Sequence, residues 1–82
     1  MISIKIIGDD EDRRQIEEIS YAMLEYMGLE GIIEAAPAIP AGGDGKYAAY
    51  PVLLIDGRVA CCGRIPRAGE VSTWLADAAM QT

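Results

Sequence analysis

At 82 residues the chain is long enough for one domain, spanning 1–82, in which all apolar elements share one core, because a domain of this size buries only about 60% of the surface its unfolded chain exposes. A formal charge of −6 argues against nucleic acid and against an anionic membrane surface, both of which are bound through Lys and Arg. The absence of histidine removes His-based triads, Cys-His nucleophiles and the usual zinc ligand sets, and no apolar run approaches the roughly 20 residues of a membrane span.

Ile2, Ile4 and Ile6 alternate with Ser3 and Lys5, which is the period of a half-buried strand, and Gly8 ends it. The next segment, DDEDRRQIEEISYAMLEYMG, reads as a helix because Ile16, Ile19, Met23 and Met27 recur at three- and four-residue spacing. Arg13 with Glu17 and Arg14 with Glu18 form i,i+4 pairs, Asp9 or Asp10 supplies the N-cap, and Gly28 stands where a left-handed C-terminal cap is expected. A second strand follows in Gly31 to Ala36, closed by Pro37. From Pro37 to Lys46 the chain reads PAIPAGGDGK, whose prolines and glycines forbid a long regular helix. Its GGDG could cradle a phosphate, yet it neither opens a helix nor carries the Lys-Ser/Thr pair of a phosphate loop, so a plain loop is expected.

Val52 to Ile55 are apolar on both faces, which places them in the middle of a sheet. The Asp56-Gly57 dipeptide joins them to Arg58 to Cys62 as an antiparallel hairpin. Pro66 fits a first helical position, and Val71, Trp74, Leu75 and Ala78 form the apolar stripe of a closing helix. The opening strand, helix and strand should make a right-handed parallel crossover, and the hairpin should extend the same sheet. Both helices are expected mainly on one face, leaving only the Pro37 to Lys46 loop or a partner molecule for the other.

This order of elements, the IKIIG before the first helix, and above all YPVLLIDGRVACCGRIP followed by an amphipathic helix resemble the small thioredoxin-fold proteins, nearest to the short, glutaredoxin-like, redox-active disulfide proteins of archaea and bacteria. The resemblance covers nearly the whole chain and is most specific from Tyr50 to Leu75. It implies an α/β, thioredoxin-like fold, β-α-β-(loop)-β-β-α, with a four-stranded mixed sheet. It also implies a cis bond before Pro51, whose proline would stand beside the active site and contact bound thiol substrates. That family places Cys-x-x-Cys at the start of the first helix, where the helix N-terminus makes an attacking thiolate. Here the place reads GDDEDRR, so Asp10 and Arg13, or Glu11 and Arg14, occupy the two cysteine positions, and neither pair can exchange disulfides. Carboxylates at a helix start are equally the ordinary caps of a helix dipole. They do not follow the calcium-loop pattern, which would put a glycine where Gln15 stands.

The only two cysteines, Cys61 and Cys62, are adjacent, and in a strand they point to opposite faces. Three functions follow. The first is a binding module for a protein, a peptide or a second copy, which keeps the groove beside Pro51 and Tyr50 but not the catalysis. The second is an atypical thiol-disulfide oxidoreductase using Cys61 or Cys62. Cys62 is favoured there because it adjoins the flexible Gly63 and because Arg64 and Arg58 could promote its thiolate. The third is capture of a soft ion such as Cu(I) or arsenite by the vicinal thiols. Both cysteines also suit small core positions, since free Cys ranks among the most buried residue types. Tyr47 and Tyr50 flank the loop and suit core packing as well as a groove wall. The sequence calls for no cofactor. The opening MISIKIIG is too short for a signal peptide and runs into acidic residues, so the cytoplasm is the expected compartment. PAIPAGGDGK stands where the resembled family has a middle helix, and a homodimer is expected because the loss of that helix should leave one sheet face thinly covered.

Overall fold

The structure, a computed structural model, describes residues 1–38 and 49–81. The chain is α/β: strand β1 (Ile2–Ile7), helix α1 (Asp10–Met27), strands β2 (Gly31–Ala36), β3 (Val52–Ile55) and β4 (Arg58–Cys62), and helix α2 (Ala68–Met80). The four strands form one mixed sheet in the order β2-β1-β3-β4. β1 runs parallel to β2 with Ile2 opposite Gly31, and antiparallel to β3 with Ile4 opposite Ile55 and Ile7 opposite Val52. β3 and β4 are antiparallel. The apolar strand Val52–Ile55 therefore sits inside the sheet, as its two-sided apolarity requires. Among the described residues no helix is long and apolar enough to cross a membrane.

The core lies on one face of this sheet. Ile2, Ile4 and Ile6 of β1 and Leu53 and Ile55 of β3 meet Ile16 and Leu24 of α1 and Val71, Leu75 and Ala78 of α2, all buried. α1 and α2 also touch each other, so both cover the same side. Asp9 caps α1, its carboxylate accepting from the Asp12 N–H at 2.8 Å. At the other end, the Gly28 N–H donates to Glu25 O and the Leu29 N–H to Leu24 O, the paired bonds by which a left-handed glycine closes a helix. Arg13 turns back to Asp10 and to the Asp9 carbonyl, which also accepts from its own backbone N–H, rather than forward to Glu17. Among the described residues neither expected i,i+4 pair forms an ion pair.

The hairpin turn places Asp56 at φ 51° and Gly57 at φ 83°, the two left-handed residues of a type I′ turn. Asp56 also extends the β1 ladder, its N–H donating to Ser3 O at 2.7 Å while its carboxylate accepts from the Ser3 N–H at 2.8 Å. Beyond the turn the register slips: Leu54 pairs with Val59 but Leu53 pairs with Cys61, so Ala60 is an extra residue bulged from β4. One expectation is corrected at α2. Pro66 is not its first residue; Arg67 is the N-cap and Pro66 precedes it. The Glu70 carboxylate accepts from the Arg67 N–H at 3.0 Å, and that bond sets the first helical residue, Ala68, two positions past the proline.

The second face of the sheet carries Ser3, Lys5 and Ile7 of β1, Ile32 and Glu34 of β2, Leu54 of β3, and Val59 and Cys62 of β4. Ile32 and Val59 are exposed there. Of the loop expected to cover it, residues 39–46 lie outside the described residues, as does Tyr47.

Among the described residues Ser20 is the only buried polar side chain, and its hydroxyl has no hydrogen-bond partner. Ser20→Ala should therefore leave stability unchanged or raise it by about 1 kcal/mol, by removing an unpaired buried hydroxyl. Ile6→Ala, at a fully buried site, should cost about 2–5 kcal/mol. Urea denaturation of both variants checks the opposite signs.

Candidate functional site

The C-terminal end of β1, the start of α1, the start of β3 and the end of β4 meet at one end of the sheet. Ile7 pairs with Val52 and Val52 with Cys62, so Cys62 lies two strand spacings, about 10 Å, from the end of β1. The Tyr50–Pro51 peptide bond is cis. Pro51 is buried and Tyr50 half-buried. Gly8 packs directly on the proline: a Cβ added at Gly8 would lie 3.1 Å from Pro51 Cβ and 3.7 Å from Asp12 Cβ. The Pro51 carbonyl accepts from the Gly63 N–H at 2.8 Å, which ties the end of β4 to the entry of β3. Gly63 has φ 87°, and a Cβ there would stand 3.2 Å from Ala49 Cβ, so glycine is required on both counts.

The two cysteines divide between the faces. Cys61 is buried with the core residues, and its thiol donates to Arg64 O at 3.4 Å. Cys62 is exposed on the second face, and its thiol donates to Ala49 O at 3.2 Å. Two sulfurs on opposite sides of a strand cannot share one soft ion unless β4 breaks locally. Among the described residues no group of three or more Cys, Asp or Glu side chains converges to hold a metal ion.

The charges around Cys62 are not those expected for an activated thiol. Arg64 is held by Glu70 in a bidentate bridge, NH1 to Oε1 at 2.8 Å and NH2 to Oε2 at 2.6 Å. Arg58 stands opposite Ile55 at the far end of β4, beside the hairpin turn. Both were expected to promote a Cys62 thiolate, and both are engaged or placed elsewhere. The bridge shifts both of its members. The Glu70 carboxyl is lowered to about 2, first by the hydrogen bond from Arg64 and then by the Arg67 N–H, while Arg64 is raised chiefly by its bond to Glu70.

The start of α1 supplies the acidic rim. Asp9, Asp10 and Glu11 are exposed, as is Arg14, while Asp12 and Arg13 are half-buried. Asp12 is pushed above the usual carboxyl value, first by partial desolvation and then by the charges of Asp9 and Glu11. Asp9, the capping residue, is thus also a source of repulsion within the turn. Asp10, Glu11 and Arg14 were named from the sequence, and all three reach solvent here. Gly8 was read only as a strand terminator. Its contact with Pro51 depends on the β1–β3 pairing across 42 residues of intervening chain, and no local pattern announces it.

A second concavity, missed from the sequence, lies at the opposite end of the sheet. It is lined by Ile55, Arg58, Ala60, Trp74, Asp77 and Ala78. Only the tertiary contact between the hairpin and the last turns of α2 creates it.

Two outcomes follow from this geometry. A disulfide reagent such as 5,5′-dithiobis(2-nitrobenzoate) should modify one thiol rapidly in the native protein and a second only after denaturation, with the rapid phase absent in Cys62→Ser; two rapid phases would contradict the burial of Cys61. The Glu70 carboxyl is depressed in the folded chain, so its contribution is complete above the ordinary value of 4.5 and is lost as pH falls through about 2. Glu70→Gln should therefore flatten the acid limb of the stability curve between those values, as followed by circular dichroism during urea titration at each pH.

Compared with known proteins, the chain matches no protein-family model, and no curated protein matches it significantly.

Proposed function

We propose that this chain is a thioredoxin-like domain without a catalytic dithiol, and that it works as a binding module for a protein or peptide at the sheet end around Pro51. The observation that carries this reading is the convergence there of Gly8, packed on Pro51, with the start of α1, the exposed Cys62 that ends β4 and the exposed Gly63 that follows it. The β-α-β-β-β-α order of the described elements and their four-stranded mixed sheet support the thioredoxin-like reading, since the resemblance implies both. In such domains this end receives the substrate. Here Asp10, Glu11, Arg13 and Arg14 take the place of the cysteine pair, so the site keeps its position but has charge in place of nucleophile. Pro51 forms a buried floor, and the exposed rim consists of Asp9, Asp10, Glu11 and Arg14 on one side and Cys62 and Gly63 on the other. With Arg13 turned to Asp10, the rim remains net acidic, which favours a basic or neutral segment as partner.

The exposure of Cys62 favours a second reading, a single exchanging thiol. Its thiolate would attack a partner disulfide, break that S–S bond, form a mixed disulfide and release the other sulfur as a thiolate. A thiol of the partner or of a small-molecule reductant must then resolve it, because Cys61 faces away. The Cys62 thiol is engaged with Ala49 O and the Arg64 guanidinium with Glu70, which places this reading second.

Two measurements separate the readings. With insulin as the disulfide substrate and dithiothreitol as reductant, the protein should not accelerate reduction beyond the reductant alone; an activity abolished in Cys62→Ser would replace the binding reading with the thiol one. Panning a phage-displayed library of linear peptides should enrich binders that shift the amide resonances of Gly8 to Asp12, Val52, Cys62 and Gly63. A library that enriches nothing, or binders that shift only other residues, would sink the proposal.

A further inference from the structure

The sheet has two edges, and they differ in how they are protected. β4 is interrupted by the Ala60 bulge and begins with Arg58, and bulges and charges are common means of stopping an edge from pairing with another chain. β2 has no bulge. Its register with β1 is continuous from Ile2–Gly31 to Ile7–Ala36, and within it stand neither Pro nor Lys nor Arg. Among the described residues, no strand pairs with its outer side.

The direction of its backbone groups follows from two hydrogen bonds. The Ile2 N–H donates to Glu30 O at 3.0 Å and the Gly8 N–H to Ala36 O at 3.1 Å, so the carbonyls of Glu30 and Ala36 point toward β1. With a period of two, residues 30, 32, 34 and 36 turn to β1, and the N–H and C=O groups of Gly31, Ile33 and Ala35 point outward. These are the donors and acceptors of an unfilled ladder.

The side chains beside this edge fall into two chemical strips. On the helix side, a groove of about 580 Å³ runs between the end of α1 and β2, with Met1, Tyr21, Leu24 and Leu29 among its walls. Met1 and Tyr21 are 73% and 57% exposed, an unusual investment of apolar surface next to an open edge. On the second face of the sheet, Ile32 stands between Glu30 and Glu34. Lys5 lies beside Glu34 in the register. Glu25 adds a further negative charge to the groove, no basic residue lies in the last turn of α1, and the whole chain carries −6.

We propose that β2 is a docking edge for an extended segment of a partner protein that alternates apolar and basic residues and adds to the sheet as a fifth strand. Its backbone pairs with Gly31, Ile33 and Ala35, its apolar side chains enter the groove between Tyr21, Leu24 and Leu29, and its basic side chains lie over Glu30 and Glu34. The acidic flanks select this occupant over a second copy of the chain, since copies pairing through β2 would bring Glu30 and Glu34 of both protomers together. The site is separate from the surface around Pro51, and neither depends on the other.

The test uses an N-acetylated, C-amidated octapeptide of alternating Lys and Val, with the Glu-Val octapeptide as control, and the full chain labelled with ¹⁵N. In the free protein the amides of Ile32, Glu34 and Ala36 should already be protected from hydrogen exchange while those of Gly31, Ile33 and Ala35 exchange fast. Saturation with the Lys-Val peptide should slow these last three and leave Cys62 and Gly63 unshifted. Ala35→Pro removes one outward donor without touching the β1 ladder and should weaken binding at least about fivefold, the loss of one ladder hydrogen bond. Should that variant misfold, the double charge reversal Glu30→Lys with Glu34→Lys gives an independent reading, because it should transfer preference to the Glu-Val peptide. Equal binding of the two peptides by the wild type, or slowed exchange outside the alternate amides, would overturn the proposal. So would protection of the same three amides without peptide, together with a concentration-dependent dimer mass, which would name a second copy as the occupant.

Discussion

The antiparallel ladder between β1 and β3 is the constraint on which the remainder of the structure rests. It joins two halves that are each locally determined: the strand, helix and strand from Ile2 to Ala36, and the hairpin and helix from Val52 to Met80. Four residue pairs, from Ile4–Ile55 to Ile7–Val52, set the relation between them. One end of this ladder brings Asp56 onto Ser3, and the other brings Gly8 onto Pro51. Because side chains alternate, the same register puts Ile4, Ile6, Leu53 and Ile55 on one face for α1 and α2 to cover. A slip of one residue would send these side chains to the second face and remove the contact at Pro51.

The bulge at Ala60 has a comparable influence on chemistry. Counted from the two-residue turn without interruption, β4 would set Ala60 opposite Leu53 and Cys61 opposite Val52, turning Cys61 to the second face and Cys62 toward the core. The extra residue reverses this, so that Cys61 is buried and Cys62 is exposed beside Ala49. One inserted residue thus decides which sulfur meets solvent. The same irregularity guards the β4 edge, leaving β2 as the regular one, and so bears on where the sheet can be extended.

Electrostatics at the two helix starts differ in kind. α1 opens with a cluster of carboxylates in which Asp9 caps the helix and Asp10 pairs with Arg13, while partial desolvation and then the charges of Asp9 and Glu11 shift Asp12 upward. α2 opens with a closed arrangement in which Glu70 accepts from Arg64 and from the Arg67 backbone. The first is a surface with unspent negative charge facing the Pro51 end of the sheet. The second is a local clasp that fixes the chain between β4 and α2 and removes Arg64 from the environment of Cys62.

Local patterning in the amino-acid sequence was enough for the elements. The alternation of Ile2, Ile4 and Ile6, the three- and four-residue spacing from Ile16 to Met27, the left-handed cap at Gly28 and the Asp56-Gly57 turn each depend on neighbours within a few positions, and each gave the right boundaries. Position Pro66 misled by two residues because the cap was decided by Glu70 and its hydrogen bond, not by the fixed φ of the proline. The partition of the cysteines, the contact of Gly8 with Pro51, the engagement of Arg64 and the outward direction of Gly31, Ile33 and Ala35 could not be read in the same way. They depend on strand register and on side-chain partners distant in the chain, and register is an energy minimum of the whole sheet, to which no short segment holds the key.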